Sequence, residues 1–519
     1  MPFAARARGS LFARIAEAPS LDRQAVVGPD GALTWAELLD RAQRLAGSLG
    51  TEPLPVLVYG HKQPAMVVAI VAALRLGRPY VPVDLSAPPA RISRMLDAAH
   101  PTDVILAQDP PAALAEELAT RGIRTVALDP LAADLMGAPA AGDLPAHDPE
   151  DPAYIVFTSG TTGSPKGVPI PSGALRHFAD WLLAMHPFVA GGEVFLNQAP
   201  LSFDLSVMDL YGALLTGGTL FAITRDELVD PRQLFRRLDG APLTPWVSTP
   251  SFARFCLAEP RFARDMLPGL RRFLFCGETL PVGVARELLA RFPRAEVWNM
   301  YGPTETTVAV TAVRITDAMA ASDRPLSVGQ SAPGTDVWIA DPADPRRRLA
   351  DGERGEIVIA GPQVAAGYLP PAEAQANPFF TLPDGRRAYR TGDLGTIDAH
   401  DGSIACGGRL DGQIKLHGYR IELEEIEAHL REVPGVGDGA VLAIERDGRP
   451  DHLVAVVVGA SDDPSSLPAG GRPLTQLVRA ALAESLPDYA LPRLVRRVPA
   501  LPLTSNGKVD RRALRETLG

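Results

Sequence analysis

Tyr154-Ile155-Val156-Phe157-Thr158-Ser159-Gly160-Thr161-Thr162-Gly163-Ser164-Pro165-Lys166-Gly167 decides how this chain is read. An apolar run with β character passes into a loop of hydroxyls and glycines carrying a lysine. Glycine has no Cβ, so backbone N–H groups can close around an anion. Serine and threonine hydroxyls add donors, and Lys166 adds a positive charge. Such a loop suits a polyphosphate. It is not the common P-loop, in which lysine directly follows the second glycine; here Lys166 comes three positions after Gly163. Downstream, Ser172 is expected to cap a helix with Leu175, Phe178, Ala179, Leu182 and Leu183 on its apolar side.

A chain of 519 residues is too long for one core, so at least two domains are expected. Hydrophobic residues make up 46% and charged residues 22%, as in globular proteins. The net charge is −10 and there is no basic run, which argues against nucleic acid or an anionic membrane as the main partner. The three cysteines, Cys256, Cys276 and Cys406, lie far apart without metal-ligand spacing and read as free thiols of a reducing compartment. No apolar run approaches the roughly 20 residues that span a bilayer. Residues 1–18 read as an amphipathic first helix, and a cytoplasmic location is expected.

Along the chain, apolar strand-like runs alternate with helical patterns. The runs include Val56-Leu57-Val58-Tyr59, Tyr80-Val81-Pro82-Val83, Val104-Ile105-Leu106-Ala107 and Thr125-Val126-Ala127-Leu128. The alternation predicts an α/β fold: a large, multi-layered N-terminal core with mixed, largely parallel sheets. Residues 131–152 read as a connecting loop. The clearest boundary is Gly407-Gly408-Arg409-Leu410-Asp411-Gly412. Residues 1–410 then form the core, and residues 411–519 a small, mobile α+β domain. In the latter, strands are expected at 414–416, 440–444, 453–458 and 494–498, with helices at 423–430 and 474–486.

Four further stretches carry polar chemistry. Asp204 sits in an apolar neighbourhood from Leu201 to Tyr211, where a carboxylate needs a partner. It either faces a ligand cation, such as an ammonium, or caps a helix. Asn299-Met300-Tyr301-Gly302-Pro303-Thr304-Glu305-Thr306-Thr307 sets an aromatic, a turn, a hydroxyl and a carboxylate close together. An aromatic can stack on a base, and a carboxylate can hold Mg²⁺ beside phosphates. Tyr389-Arg390-Thr391-Gly392-Asp393 reads as an acid after a tight turn, suited to two ribose hydroxyls, or as an ordinary turn. Thr504-Ser505-Asn506-Gly507-Lys508 places a lysine on a loop near the end, a pattern with weight only beside the others.

Taken together and in this order, the stretches resemble the adenylate-forming superfamily of amino-acid adenylation domains, acyl-CoA synthetases and luciferases. The resemblance covers about residues 10–515 and includes Leu33-Thr34-Trp35, Gly355-Glu356-Ile357 and Lys415-Leu416-His417-Gly418-Tyr419-Arg420. Within the superfamily it is nearest to the D-alanine–carrier protein ligase group, through Asn197-Gln198-Ala199-Pro200 and Phe273-Leu274-Phe275-Cys276-Gly277-Glu278.

The resemblance implies ATP-dependent activation of a small amino acid, alanine foremost, as aminoacyl-AMP. Transfer to the phosphopantetheine thiol of a carrier protein follows, in cell-wall D-alanylation or natural-product biosynthesis. It implies that Thr158, Ser159, Gly160, Thr161, Thr162, Gly163 and Lys166 hold the β- and γ-phosphates. Tyr301 stacks on adenine, and Asn299, Met300 and Gly302 belong to the ATP site; Thr304 touches the α-phosphate; Glu305 binds Mg²⁺; Asp393 and Arg409 hold the ribose. Lys508 bridges the carboxylate and α-phosphate, and Asp204 pairs with the substrate ammonium. The rest of the pocket is Leu205, Met208, Ser248, Leu274, Cys276, Met300, Val308 and Ala309, which favours a short apolar side chain; Met300 is larger than the resemblance leads one to expect. Asp411 falls at the hinge, and Gly418, Tyr419 and Arg420 at the thiol channel. Only eleven residues follow Lys508, so the carrier is expected as a separate, acidic protein, met by Arg420, Arg496 and Arg497 unless these are simply solvated. An acyl- or aryl-CoA ligase and a non-catalytic nucleotide-binding protein are the alternatives.

Overall fold

A computed structural model describes residues 10–17, 20–50, 52–135, 148–160, 163–186, 188–189, 192–322, 324–371, 377–446, 449–460, 474–502 and 509–518. The chain forms two compact units, one of residues 1–84, 99–157 and 167–410, the other of residues 85–98, 158–166 and 411–519.

Two large, mainly parallel sheets and an antiparallel one build the first unit. The six-stranded sheet runs in the order Arg124–Ala127, Asp103–Leu106, Val56–Tyr59, Tyr80–Val83, Pro152–Thr158, Lys166–Pro171, and its first five strands are parallel. The nine-stranded sheet is parallel from Gln24–Gly28 through Thr219–Ala222, Val194–Asn197, Pro245–Ser248 and Arg272–Phe275 to Glu296–Tyr301, with antiparallel strands at both ends. Parallel neighbours need crossovers, and helices supply them.

Two of those helices present no polar face to water. Pro64–Leu76 has no polar residue before Arg75, and Leu205–Thr216 is buried throughout. A helix without a polar face must lie between layers. Pro64–Leu76 accordingly touches strands of both large sheets. The third sheet, antiparallel, is ordered Asp344–Arg348, Asp336–Asp341, Gly355–Ala360, Arg387–Ile397, Phe379–Thr381, with Ile404–Arg409 added on Arg387–Ile397.

In the second unit a hairpin pairs Gln413–Leu416 with Tyr419–Glu422. Its two-residue turn, His417-Gly418, has φ of +51° and +89°, the left-handed pair a tight hairpin demands. A sheet of Val436–Arg446, Arg449–Gly459 and Leu494–Arg497 packs with the helices Leu423–Glu432 and Leu474–Ala483 over one apolar core.

The structure alters several expectations. The helix after the glycine loop starts at Ser172 itself, and Pro171 holds the cap position; the Ser172 hydroxyl donates to the Asp148 carbonyl instead of capping. Asp393 does not follow a turn but lies inside the eleven-residue strand Arg387–Ile397. The second unit carries a strand at Tyr419–Glu422 and a helix at Arg511–Leu518 that periodicity did not suggest. Leu474–Ala483 ends three residues early; of the helix expected over residues 1–18 the structure describes Leu11–Ala16, and residues 1–9 and 18 lie outside the described residues. All three cysteines are free. Among the described residues no helix is long and apolar enough to cross a membrane.

Arg78 shows how charge is tolerated inside the first unit. It is 1% exposed and pairs with buried Asp103 at 2.7 Å. It also donates to the Leu54 and Gly50 carbonyls, each at 2.8 Å, and to the Thr102 hydroxyl at 2.6 Å. Removing one partner of such a pair leaves a buried charge behind. Arg78→Ala is therefore expected to destabilise the first unit by about 3–5 kcal/mol, read as a lower urea midpoint with no gain of a new transition.

Candidate active site

Open parallel sheets bind ligands beyond the carboxyl ends of their strands. Ser248, Phe275 and Asn299 stand in one register row at that edge of the nine-stranded sheet. Tyr301 ends the strand Glu296–Tyr301. Its hydroxyl donates to Asp393 Oδ2 at 2.8 Å. Arg409 pairs with the other carboxylate oxygen, Oδ1, and donates to the Thr391 carbonyl at 3.0 Å. Burial, and after it the Asp393 charge, pushes the Tyr301 hydroxyl well above its ordinary range, so it stays a donor.

A bulge aims Asp393. Gly392 has φ +71°, and pairing with Gly355–Ala360 shifts register there. The Gly392 N–H donates to Glu356 Oε1 at 3.1 Å, while Glu356 Oε2 accepts from Arg390 at 2.7 Å. An extra residue in one strand re-aims the side chains beside it.

The chain then turns back from Gly302 to Val310. A Cβ on Gly302 would lie 2.7 Å from Ala309 Cα, so only glycine fits. Thr307 and Val308 have φ of +59° and +68°. A left-handed β-branched residue costs of order 1–3 kcal/mol and persists only where its surroundings impose it. Here they do: the Thr307 hydroxyl donates to the Gln363 carbonyl, and Gln363 Nε2 to the Ala309 carbonyl, each at 2.8 Å. The Cys276 thiol donates to the Val308 carbonyl at 3.5 Å. Within this turn Thr304 and Glu305 are buried, and Glu305 accepts from the Tyr368 hydroxyl at 2.6 Å. Asn299 turns to the Ser327 carbonyl at 2.8 Å.

Asp204 occupies the cap position of Leu205–Thr216, but its backbone is already helical and its side chain makes no capping bond. The carboxylate is half-buried, and its charge adds to the burial that raises the Tyr154 hydroxyl. Leu205, Met208, Leu274, Cys276, Met300, Val308 and Ala309 are all buried in the same apolar cluster. Ser248 is buried as well, but its hydroxyl already donates to the Thr249 carbonyl at 2.9 Å and accepts from Trp246 Nε1 at 2.8 Å.

The phosphate-loop residues Thr158, Ser159, Gly160, Gly163 and Lys166 fall in the second unit. A Cβ on Gly160 would stand 2.0 Å from the Ser164 carbonyl, and Gly163 has φ +80°. In that unit the Ser159 hydroxyl donates to the Arg420 carbonyl at 2.7 Å. Arg94 donates to the Gly163 carbonyl at 2.7 Å, and Arg91 pairs with Glu425 at 2.8 Å. Tyr419 stacks on Tyr489 at 4.0 Å, and Asp411 accepts from the Gln413 N–H at 3.2 Å. Thr161, Thr162 and Lys508 lie outside the described residues.

Sequence reasoning missed Tyr368, Gln363 and Lys62. The first two are set by contacts distant in sequence and leave no local signal. Lys62 had one: a charge in Gly60-His61-Lys62-Gln63, between a buried strand and a wholly apolar helix.

Residues 12–369 match the model of the AMP-binding enzymes, and residues 425–508 that of the AMP-binding enzyme C-terminal domain. The chain belongs to the AMP-binding enzyme family, the adenylate-forming enzymes. It is similar to a D-alanine--D-alanyl carrier protein ligase of Bacillus velezensis, 43% identical over 94% of this chain and 95% of that protein. A protein of the same name from Bacillus licheniformis is 41% identical over 95% and 96%. Among solved structures, holo-PA1221, an NRPS protein containing adenylation and PCP domains, superposes with a TM-score of 0.80 at 30% identity, covering 98% of this chain and 84% of that one.

Asp393 gathers Tyr301 and Arg409, so Asp393→Asn removes a charge-assisted bond worth about 1.5–3 kcal/mol. If Asp393 holds the ribose as the sequence leads one to expect, AMP affinity, measured calorimetrically, falls about 10–100-fold, with the far-UV circular dichroism spectrum retained.

Proposed function

We propose that this enzyme activates a small amino acid, alanine foremost, and loads it onto a separate carrier protein. The amino-acid carboxylate attacks the α-phosphorus of ATP; an aminoacyl-AMP forms and pyrophosphate leaves. The phosphopantetheine thiol of the carrier then attacks the carbonyl; a thioester forms, AMP leaves, and the thiol proton is released. The relatives' name supports this reading. The observation that carries it is Asp204, a half-buried carboxylate at the head of a wholly buried helix and not engaged in capping it. In such surroundings a carboxylate favours a cation, and an amino acid brings an ammonium where a fatty or aryl acid brings none. The buried lining of Leu205, Met208, Leu274, Cys276 and Met300 suits a short apolar side chain.

Carboxylates are weak nucleophiles, so alignment and charge neutralisation carry the first step. In our reading Thr158, Ser159, Thr161, Thr162 and Lys166 hold the outer phosphates, Tyr301 meets adenine, and Asp393 with Arg409 holds the ribose. Thr304 meets the α-phosphate, and Lys508 bridges it to the substrate carboxylate. Mg²⁺ would be held by Glu305. Among the described residues no three His, Cys, Asp or Glu side chains gather as a metal cage; a single carboxylate fits Mg²⁺, which takes most remaining ligands from phosphates and water. Its charge would offset that of the phosphates. Residues 1–410 form the catalytic core and residues 411–519 the moving domain, hinged at Asp411. That domain withdraws Lys508 after the first step and brings Gly418, Tyr419 and Arg420 to the thiol.

Two variants separate these roles. Lys508→Ala is expected to abolish ATP–pyrophosphate exchange yet spare thiol transfer from pre-formed alanyl-AMP; equal loss of both contradicts the division. Asp204→Asn is expected to raise the KM for alanine about 10–100-fold while leaving ATP binding intact. A panel of both alanine enantiomers, glycine, serine, β-alanine and propionate tests the substrate class, and exchange with propionate but not alanine would favour an acyl ligase.

A further inference from the structure

Lys62 carries a charge into the space between the two large sheets of the first unit. It follows the strand Val56–Tyr59 and precedes the helix Pro64–Leu76, and it is 3% exposed. Its Nζ donates to the carbonyls of Asn197, Gln198 and Ile223 at 2.9, 2.7 and 2.6 Å. Asn197 ends one strand of the nine-stranded sheet, and Ile223 directly follows the next, Thr219–Ala222. A residue of one sheet thus fastens the carboxyl ends of two strands in the other. An ammonium has three N–H donors, and these three carbonyls use them all.

Two of the fastened carbonyls, those of Asn197 and Gln198, lie at the root of residues 198–204, the segment that ends at Asp204. Asn197 ties the same root to the following helix, donating to the Ala199 carbonyl at 3.2 Å and to Asp209 Oδ1 at 2.8 Å. Asp209 is fully buried. Its Oδ2, and Asn197 Oδ1, find no hydrogen-bond partner among the described residues. The nearby Lys62 charge offsets part of the burial that pushes the Asp209 carboxyl up.

We propose that Lys62 is a positioning residue for amino-acid recognition, holding the root of residues 198–204 so that Asp204 meets the substrate ammonium. The inference rests on the function proposed above. Lys62 does not touch the substrate; it acts through the backbone that carries Asp204.

The geometry has a pH signature. Burial drives the Lys62 ammonium down to about 7, opposed by the charges of Asp209, Asp84 and Glu227. His61, beside it, pairs with Asp84 at 2.6 Å and accepts from the Arg225 N–H at 3.0 Å. A neutral amine has one N–H fewer than the three carbonyls require. The clamp is therefore complete below about pH 7 and loosens as pH rises through that value.

The test is ATP–pyrophosphate exchange by the full-length enzyme with alanine. Lys62→Met keeps an unbranched apolar stem and donates nothing. It is expected to raise the KM for alanine about tenfold or more, with kcat and the KM for ATP moving less than about twofold. In the wild type, the KM for alanine is expected to climb between about pH 6 and pH 8.5; in Lys62→Met this climb disappears. On an Asp204→Asn background, Lys62→Met is expected to add less than about twofold. An unchanged KM for alanine, or a loss shared equally with ATP, overturns the inference. If Lys62→Met does not fold, the wild-type profile decides, and a flat KM overturns it. A wild type that exchanges no amino acid sinks the proposed function and this inference together; one that exchanges alanine indifferently to Lys62 sinks this inference alone.

Discussion

Every buried charge in the first unit is constrained by the apolar filling between its sheets. The helices Pro64–Leu76 and Leu205–Thr216 offer no polar face. A charged group buried there is therefore stable only with a partner. Asp393 shows the solution, with Tyr301 and Arg409 on its two oxygens. Arg78 with Asp103 and Lys62 with three carbonyls are two more. At the carboxyl ends of the parallel strands, where an α/β fold binds ligands, the same rule fixes the polar side chains.

Rigidity at that edge comes from bonds between segments distant in sequence. Gln363 and Thr307 hold two left-handed residues in the turn after Gly302. Tyr368 holds Glu305 and lies 3.2 Å from the Tyr389 hydroxyl. Such bonds fix side chains before a ligand arrives, so less reorganisation is left for the reaction. They also explain why Val308 tolerates a conformation that valine avoids.

Much of the fold was legible because its signals are local. Buried strands such as Val56–Tyr59 are short apolar runs, and Gly77 ends its helix in the left-handed conformation that glycine favours. The misreadings share one cause. Arg390-Thr391-Gly392-Asp393 looks like a turn, yet Glu356, far off in sequence, accepts the Gly392 N–H and keeps the segment in a bulged strand. Ser172 has the composition of a cap, but Asp148 claims its hydroxyl. Asp204 stands at a cap position without capping, which no local pattern foretells. The site motifs were legible as an ordered set; Gln363 and Tyr368 were not, because their roles exist only once the sheets are packed, and Lys62 left only a charge between an apolar strand and an apolar helix.

The central claim is that an amino-acid ammonium meets Asp204 beside the nucleotide. It is tested most directly by a crystal structure with a non-hydrolysable alanyl-AMP analogue. The account predicts the ligand amine within about 3 Å of the Asp204 carboxylate. An amine held elsewhere, with Asp204 closed onto an arginine or lysine of the protein, would contradict it.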